Sequence, residues 1–436
     1  MKPPSATRNS RRALVAALSV AALMTSAACT SGPPPAPTGT ASATTASWDE
    51  LGPIVYAQGK DASGTVEAQV AEWNGAHPNE QVELRELSDS TDEQRAAIVE
   101  RARAKSGEFT VMAIDVVWTT EFAANGWLEE LPSDRFPTEG YFKAAVDSGT
   151  YFDKLYAMPS TSDGALLYYR KDLLDKVGVK PPTTWADLQS VCDKVLSDQS
   201  GMSCYAGQYD EYEGLTSNVA EAIDSAGGSI LNAQGQPSVN TPEALAGLSW
   251  IVDGFTSGRI PAEAKTWQEE ESRAAFQGGK LLFLRNWPYV YQLAMKDDRI
   301  AGRFAVAPLP GKNGPGASTL GGQNLGISTF ARNKGTALKF VNWMQSKEQQ
   351  QRRLADASLA PVLEELFDEP ALQPRIPYLK TLGDSIRTAR PRPKAARYSS
   401  DVSRAIQDES YAAIEGTKDP QTALKDMQAK LEAIVK

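Results

Sequence analysis

Beyond residue 50 the chain alternates between short apolar runs and stretches whose apolar residues recur three and four apart. Gly52–Ala57 (GPIVYA) and Gln81–Leu87 predict strands. Thr110–Val117 (TVMAIDVV) is apolar at consecutive positions, which predicts a strand covered on both faces of a parallel sheet. Between them, Thr65–Asn74 places Val66, Val70 and Trp73 on one helical face, and Thr91–Ala104 opens with a capping residue and acids. Further on, KLYAMPSTSDGALLYYRKDLL (Lys154 to Leu174) reads as two strand-like halves around a polar hinge. PPTTWADL (Pro181 to Leu188) is a capped helix start, Ser272–Gly279 ends a helix, and Lys280–Asn286 begins the next strand. Alternation of this kind predicts an α/β architecture, and no repeat at a solenoid or propeller period interrupts it.

The first 50 residues follow another pattern. Lys2, Arg8, Arg11 and Arg12 precede an apolar run from Ala13 to Met24, then Ser26, Ala27 and Ala28 lead to Cys29. That order is a secretory signal, and the run is too short for a permanent membrane span. A cysteine at the cleavage position resembles the lipobox of bacterial lipoproteins, whose thiol is acylated. Residues 1–28 are therefore read as a lipoprotein signal peptide and residues 29–50 as a flexible tether, since Thr30–Ser47 carries no charge and no apolar mass to bury. No later run reaches the roughly 20 apolar residues of a spanning helix, so the body is read as soluble and extracytoplasmic, tied to the cell membrane through Cys29.

Charge and chemistry narrow the picture. The formal charge of −9 becomes −13 once the four cationic signal residues are removed. An acidic exterior disfavours nucleic acid and other polyanions. Apart from Cys29, the cysteines are Cys192 and Cys204, an even pair in an oxidising location, read as a disulfide worth ~3 kcal/mol in the chain-entropy picture, with two buried thiols as the alternative. One histidine, His77 in NGAHPN, is read as a solvated loop residue. With so few soft ligands no metal site is expected, and no Walker loop, dinucleotide fingerprint, GxSxG elbow or calcium loop points to a cofactor. Trp, Tyr, Asn and carboxylates remain, the residue types that stack on sugar rings and bridge their hydroxyls.

DVVWTTEFAANGWLEEL (Asp115 to Leu131), KLYAMPSTSDGALLYYRKDLL, PPTTWADL, AFQGGKLLFLRNWPYV (Ala275 to Val290) and APLPG…GGQNLGIS (Ala307 to Ser328) occur in that order. The series resembles the family 1 extracellular solute-binding proteins of carbohydrate ABC importers over Leu51–Lys436. Within that family it is most similar to the trehalose/maltose-type lipoproteins of actinobacteria. The resemblance implies a two-lobe periplasmic-binding-protein fold of type II, crossed three times by the chain, near Thr161, Gly314 and Lys347. Lobe 1 would comprise 51–161 and 315–347, and lobe 2 would comprise 162–314 and 348–436. It further implies a monomeric, non-enzymatic receptor that closes on a trehalose- or maltose-like disaccharide and hands it to membrane permease subunits. A secreted glycoside hydrolase, which also needs carboxylates and a sugar cleft, is the alternative.

Candidate ligand residues follow from strand ends and from the same resemblance. Asp115 ends the buried strand and Trp118 follows it; each could equally be a helix cap and a core ring. Asn286 and Trp287 stand at the mouth of the strand LLFLR, suited to a bidentate hydroxyl contact and a stack. Gly321, Gly322 and Asn324 precede LGIS, where the glycines would let backbone N–H groups approach a ligand. Asp163 lies in the polar hinge, where mycobacterial receptors show an amide. Glu213 matches a Glu-Gly-Leu of the trehalose type, and Arg392 an Arg-Pro near the C-terminal end. Asp61, in the loop after the first strand, and Trp267, before EEESRAAF, complete the set.

Overall fold

The computed structural model describes residues 48–393 and 399–435; the signal, Cys29 and most of the tether lie outside the described residues. Among the described residues thirteen strands are formed: β1 (Ile54–Gly59), β2 (Val82–Leu87), β3 (Val111–Asp115), β4 (Thr150–Tyr151), β5 (Lys154–Leu155), β6 (Ala157–Pro159), β7 (Asp163–Gly164), β8 (Leu166–Tyr169), β9 (Ser203–Ala206), β10 (Leu281–Asn286), β11 (Ala305–Ala307), β12 (Leu320–Gly321) and β13 (Gln323–Ile327). Two larger sheets organise the body, one of order β2-β1-β3-β13-β6 and one of order β11-β8-β10-β9.

The five-stranded sheet is covered on both faces. Along β3, Val111 and Ala113 pack with Trp73, Phe340 and Val341, while Met112 and Ile114 pack with Ile98, Val99 and Phe122. This is why the sequence there is apolar without alternation. The sheet is mixed rather than parallel throughout: β1 runs parallel to β2 and β3, but β13 returns antiparallel between β3 and β6. In the four-stranded sheet, Leu166 and Tyr168 face one core and Leu167 the other. The helix Trp185–Leu196 starts with the expected capping box, Thr184 and Asp187 each bonding the other's backbone N–H. It carries Cys192, which forms a disulfide with Cys204 on β9.

Between the sheets lies a two-stranded ribbon, β7 paired with β12, through Gly164–Leu320 and Asp163–Gly321. The chain leaves β6 of the larger sheet through β7 and enters β8 of the smaller; it leaves β11 and returns through β12 to β13. The helix Lys347–Ala357 also touches both sides. Gln349 accepts a bond from Gln69 at 2.7 Å, whereas Leu354 is buried in the core of the four-stranded half. Phe142 and Ala145, inside 51–161, pack into that second core too, Phe142 edge-on to Phe367. No helix among the described residues is long and apolar enough to cross a membrane.

Candidate functional site

A cavity of about 480 Å³ opens between the two sheets, beside the ribbon. Its walls come from both halves: Tyr56 and Gln58 at the end of β1, Asp115 at the end of β3, Trp287 just past β10, and Glu213 and Ser217 on the helix Glu213–Ser225. Asp163, Gly321 and Gly322 supply the wall at the ribbon. Strands from each sheet therefore direct their carboxyl ends at one space, the arrangement that open α/β sheets favour for ligands.

Arg392 crosses this space. The segment before it is fastened to the ribbon, Arg390 N–H donating to Ser318 O at 2.9 Å and Leu320 N–H to Arg390 O at 2.7 Å. From there the buried guanidinium donates to Glu213 Oε1 at 2.8 Å through Nη1 and to Asp115 Oδ1 through Nη2. Its Nε, also buried, has no partner among the described residues. Burial pushes the Glu213 carboxyl up to about 7 against the pull of Arg392. Burial likewise pushes Asp163 up to about 7, opposed by the Ala360 N–H and assisted by the Asp115 charge.

The aromatic wall is held from behind. Arg285 is fully buried, bonds Glu221 through two atoms at 2.7 and 2.6 Å, and places its Cζ 3.9 Å from the Trp287 ring centroid. Glu221 in turn accepts from Thr319 N and Oγ1 at 3.0 Å each, next to β12. A Cβ on Gly321 would stand 2.7 Å from the Trp287 ring, so the bare glycine lets the ring lie against the ribbon. Gly322 has φ +106°, and a Cβ there would meet Thr161 O at 2.2 Å. Both conformation and space require glycine at this position.

Of the residues singled out in the sequence, Asp61, Asp115, Asp163, Glu213, Trp287, Gly321, Gly322 and Arg392 line the cavity. Asp61 is already occupied: its carboxylate accepts from Ser63 N, Ser63 Oγ and Val66 N at 2.6–2.8 Å, capping the helix Thr65–Ala76. Trp118 is instead a core ring, 3 % exposed and stacked on Phe122, because the chain turns into a helix directly after β3. Asn286 is fully buried behind the wall; its amide donates to Glu269 O and Ser272 Oγ at 3.1 Å and its oxygen accepts from Trp287 N–H. Asn324 is buried too, bridging Thr119 Oγ1 and Ser148 Oγ. Trp267 packs on the core of the four-stranded half and presents its carbonyl to Tyr209 and Asp210.

The sequence reading passed over Tyr56, Gln58, Glu269, Tyr289 and Arg353, all of which line the cavity. Glu269 stands two residues after Trp267 and accepts from Tyr212 Oη at 2.6 Å and Trp287 Nε1 at 3.3 Å. Tyr289 stands two after Trp287 and donates to Glu270 at 2.6 Å. Tyr56 and Gln58 stand two apart on β1, with Tyr56 Oη donating to Gln58 Oε1; β1 is apolar on both faces, so no alternation singled them out. Arg353 gave no local signal, being brought to the cavity by the helix Lys347–Ala357, where burial lowers it to about 10. Among the described residues no group of His, Cys, Asp and Glu is placed to hold a metal ion.

Comparison with known proteins places the geometry in a family. Residues 56–351 match the bacterial extracellular solute-binding proteins. A probable ABC transporter-binding protein of Deinococcus radiodurans is 33 % identical over 366 residues, 81 % of this chain and 86 % of that one. The mannitol-binding protein of Pseudomonas aeruginosa is 26 % identical over 259 residues, covering 56 % of this chain and 57 % of that protein. The structure of maltose-bound MalE3 of T. maritima superposes with a TM-score of 0.83 at 31 % identity, over 88 % of this chain and 99 % of that chain. The chain belongs to the bacterial extracellular solute-binding proteins, with the two-lobe α/β fold of that family, and its place of work is extracytoplasmic.

Proposed function

We propose that this extracellular solute-binding protein of an ABC transporter holds a disaccharide of trehalose or maltose type in the cavity between its sheets. The observation that carries the reading is the cavity wall: aromatic side chains Trp287, Tyr289 and Tyr56 beside carboxylates and amides drawn from both halves. Flat rings stack on sugar C–H faces, and carboxylates accept the hydroxyls around them. The volume of about 480 Å³ falls within the roughly 300–1,000 Å³ of small-molecule pockets. Similarity to the maltose-bound T. maritima protein supports a sugar, and the acid-rich wall argues against an anionic solute.

Each half supplies only part of the wall, so the ligand completes its contacts in the closed arrangement alone and draws the population toward it. The ribbon β7–β12 and the helix Lys347–Ala357 are the proposed hinge crossings, with 51–161 and 315–347 supplying one lobe and 162–314 and 348–436 the other, except that the stretch around Phe142 and Ala145 packs with the second. The closed monomer then docks on the permease, tethered meanwhile by an acylated Cys29. Changing Cys29 to Ser should release the protein from membranes.

Calorimetric titration with trehalose, maltose, glucose and mannitol tests the reading. A disaccharide should bind at least about 100-fold more tightly than glucose, ~2.7 kcal/mol, because a monosaccharide leaves buried polar groups unpaired. Equal affinity for glucose and both disaccharides would sink the disaccharide assignment. Assaying the same mixtures for free glucose separates binding from hydrolysis.

A further inference from the structure

We propose that Asp163 holds the ligand as a neutral carboxylic acid, donating its proton to a sugar oxygen, so that closing on the ligand takes up one proton from solvent. The inference rests on the sugar reading above and adds the protonation state of one contact. No covalent bond forms: a solvent proton moves to the Asp163 carboxylate as water leaves the cavity.

The geometry begins with register. On one continuous stretch of chain, Gly321 pairs with Asp163 and Gln323 pairs with Asp115, so two carboxyls from different strands meet beside the same turn. Only Asp115 has a cation: Arg392 bridges it to Glu213. Three carboxyls thus stand at one cavity with a guanidinium that pairs with only two of them, a formal surplus of two negative charges (−3 + 1) for this group. Asp163 is in no ion pair among the described residues.

Every described element packed against Asp163 leaves it without an ion-pair partner. From β8 comes Tyr168, whose hydroxyl is committed to the Trp287 and Pro288 carbonyls. Tyr378 donates to Ser358. Arg353, on the helix Lys347–Ala357, is spent on Met344 O at 2.7 Å, Ser160 O and Gln345. On the helix Leu379–Thr388, which packs on β7, Lys380 pairs with Asp384 and Arg387 with Glu364 on the outer surface. Lys60 lines the cavity but is exposed. What remains for Asp163 among the described residues is the Ala360 N–H and, before a ligand enters, solvent water, and burial already raises its carboxyl to about 7. A sugar replaces that water, which disfavours the charged form further. Above the unfilled protein's value, binding must then bring a proton with it.

The test is titration calorimetry of the intact body with trehalose and maltose, in phosphate and in Tris, from pH 6 to pH 9. The apparent enthalpy should differ between buffers by the uptake of up to about one proton, and affinity should fall by up to about tenfold per pH unit above neutrality. Asp163→Asn, fixed neutral, should bind with no uptake and no such slope, and more tightly than Asp163→Ala, which lacks a donor. Sugar binding by the wild type without uptake, uptake that persists in Asp163→Asn, or equal affinities of the Asn and Ala variants would overturn the inference alone. Failure of every sugar to bind would overturn it together with the sugar reading.

Discussion

Two of the buried arginines at or behind the cavity wall are held in ion pairs, and they differ in what their partners are attached to. Arg285 on β10 is paired with Glu221 on the helix Glu213–Ser225, both in the half built on the four-stranded sheet. Its ion pair backs Trp287 and reaches Thr319 at the ribbon. Arg392 is paired with Glu213 from the same helix but also with Asp115 from β3 of the five-stranded sheet. On the proposed lobes, the Arg285–Glu221 pair lies within one body and would survive rotation at the hinge. Of the two Arg392 bonds, the one to Asp115 crosses between the bodies and would exist only while they are close. Burial and pairing look alike in the two; connectivity separates a structural ion pair from one that can report closure.

The largest effect tests the first half of that contrast. Glu221→Ala should lower unfolding free energy by about 3–5 kcal/mol, as a buried guanidinium left unpaired does, read from urea denaturation without ligand. Arg392→Ala should instead act on binding, weakening the disaccharide by about 100-fold, ~2.7 kcal/mol, with a stability change under about 1 kcal/mol, because Asp115 and Glu213 regain water when the cleft opens. Comparable stability losses in the two variants would erase the distinction. Small-angle scattering sharpens it: Arg392→Ala without ligand should show a radius of gyration at least as large as the wild type.

Between the clusters, Gly322→Ala should cost about 1–3 kcal/mol through its positive φ and the contact with Thr161 O. A variant as stable as the wild type would mean the ribbon is free to relax. A further effect is on pH. Asp163 and Glu213, both raised to about 7, bind more protons folded than unfolded between their ordinary range and neutrality. Stability of the ligand-free protein should therefore fall as pH rises from 5 to 8, seen as a lower urea midpoint. A midpoint that rises over this window would place the burden on other groups.

Much of this was legible in the chain. Strand ends were the productive signal: Asp115 after β3 and Trp287 after β10 both line the cavity, because a strand that stops at a cleft must expose its next residues there. The same rule misplaced Trp118 and Asn286, since one turn of backbone decides whether a side chain meets the ligand or the wall behind it. Trp267 marked the right helix start but the wrong residue; Glu269, two further on, is the one in the wall. Arg353 reaches the cavity through a helix with no motif of its own.

By itself the sequence determined the kinds of element and their order, because periodicity and capping act over a few residues: the buried β3, the capped helix at Trp185 and the returning strand β13 are local consequences of composition. It also determined the chemistry available to the cavity, rich in acids and rings and poor in histidine and free thiols. The tertiary structure decided pairing. Which acid received Arg392, which was left to water, and that β13 runs antiparallel inside the larger sheet all depend on residues more than 150 positions apart meeting across the ribbon. Such contacts are fixed by packing and register between distant segments, and no local window of sequence contains both partners.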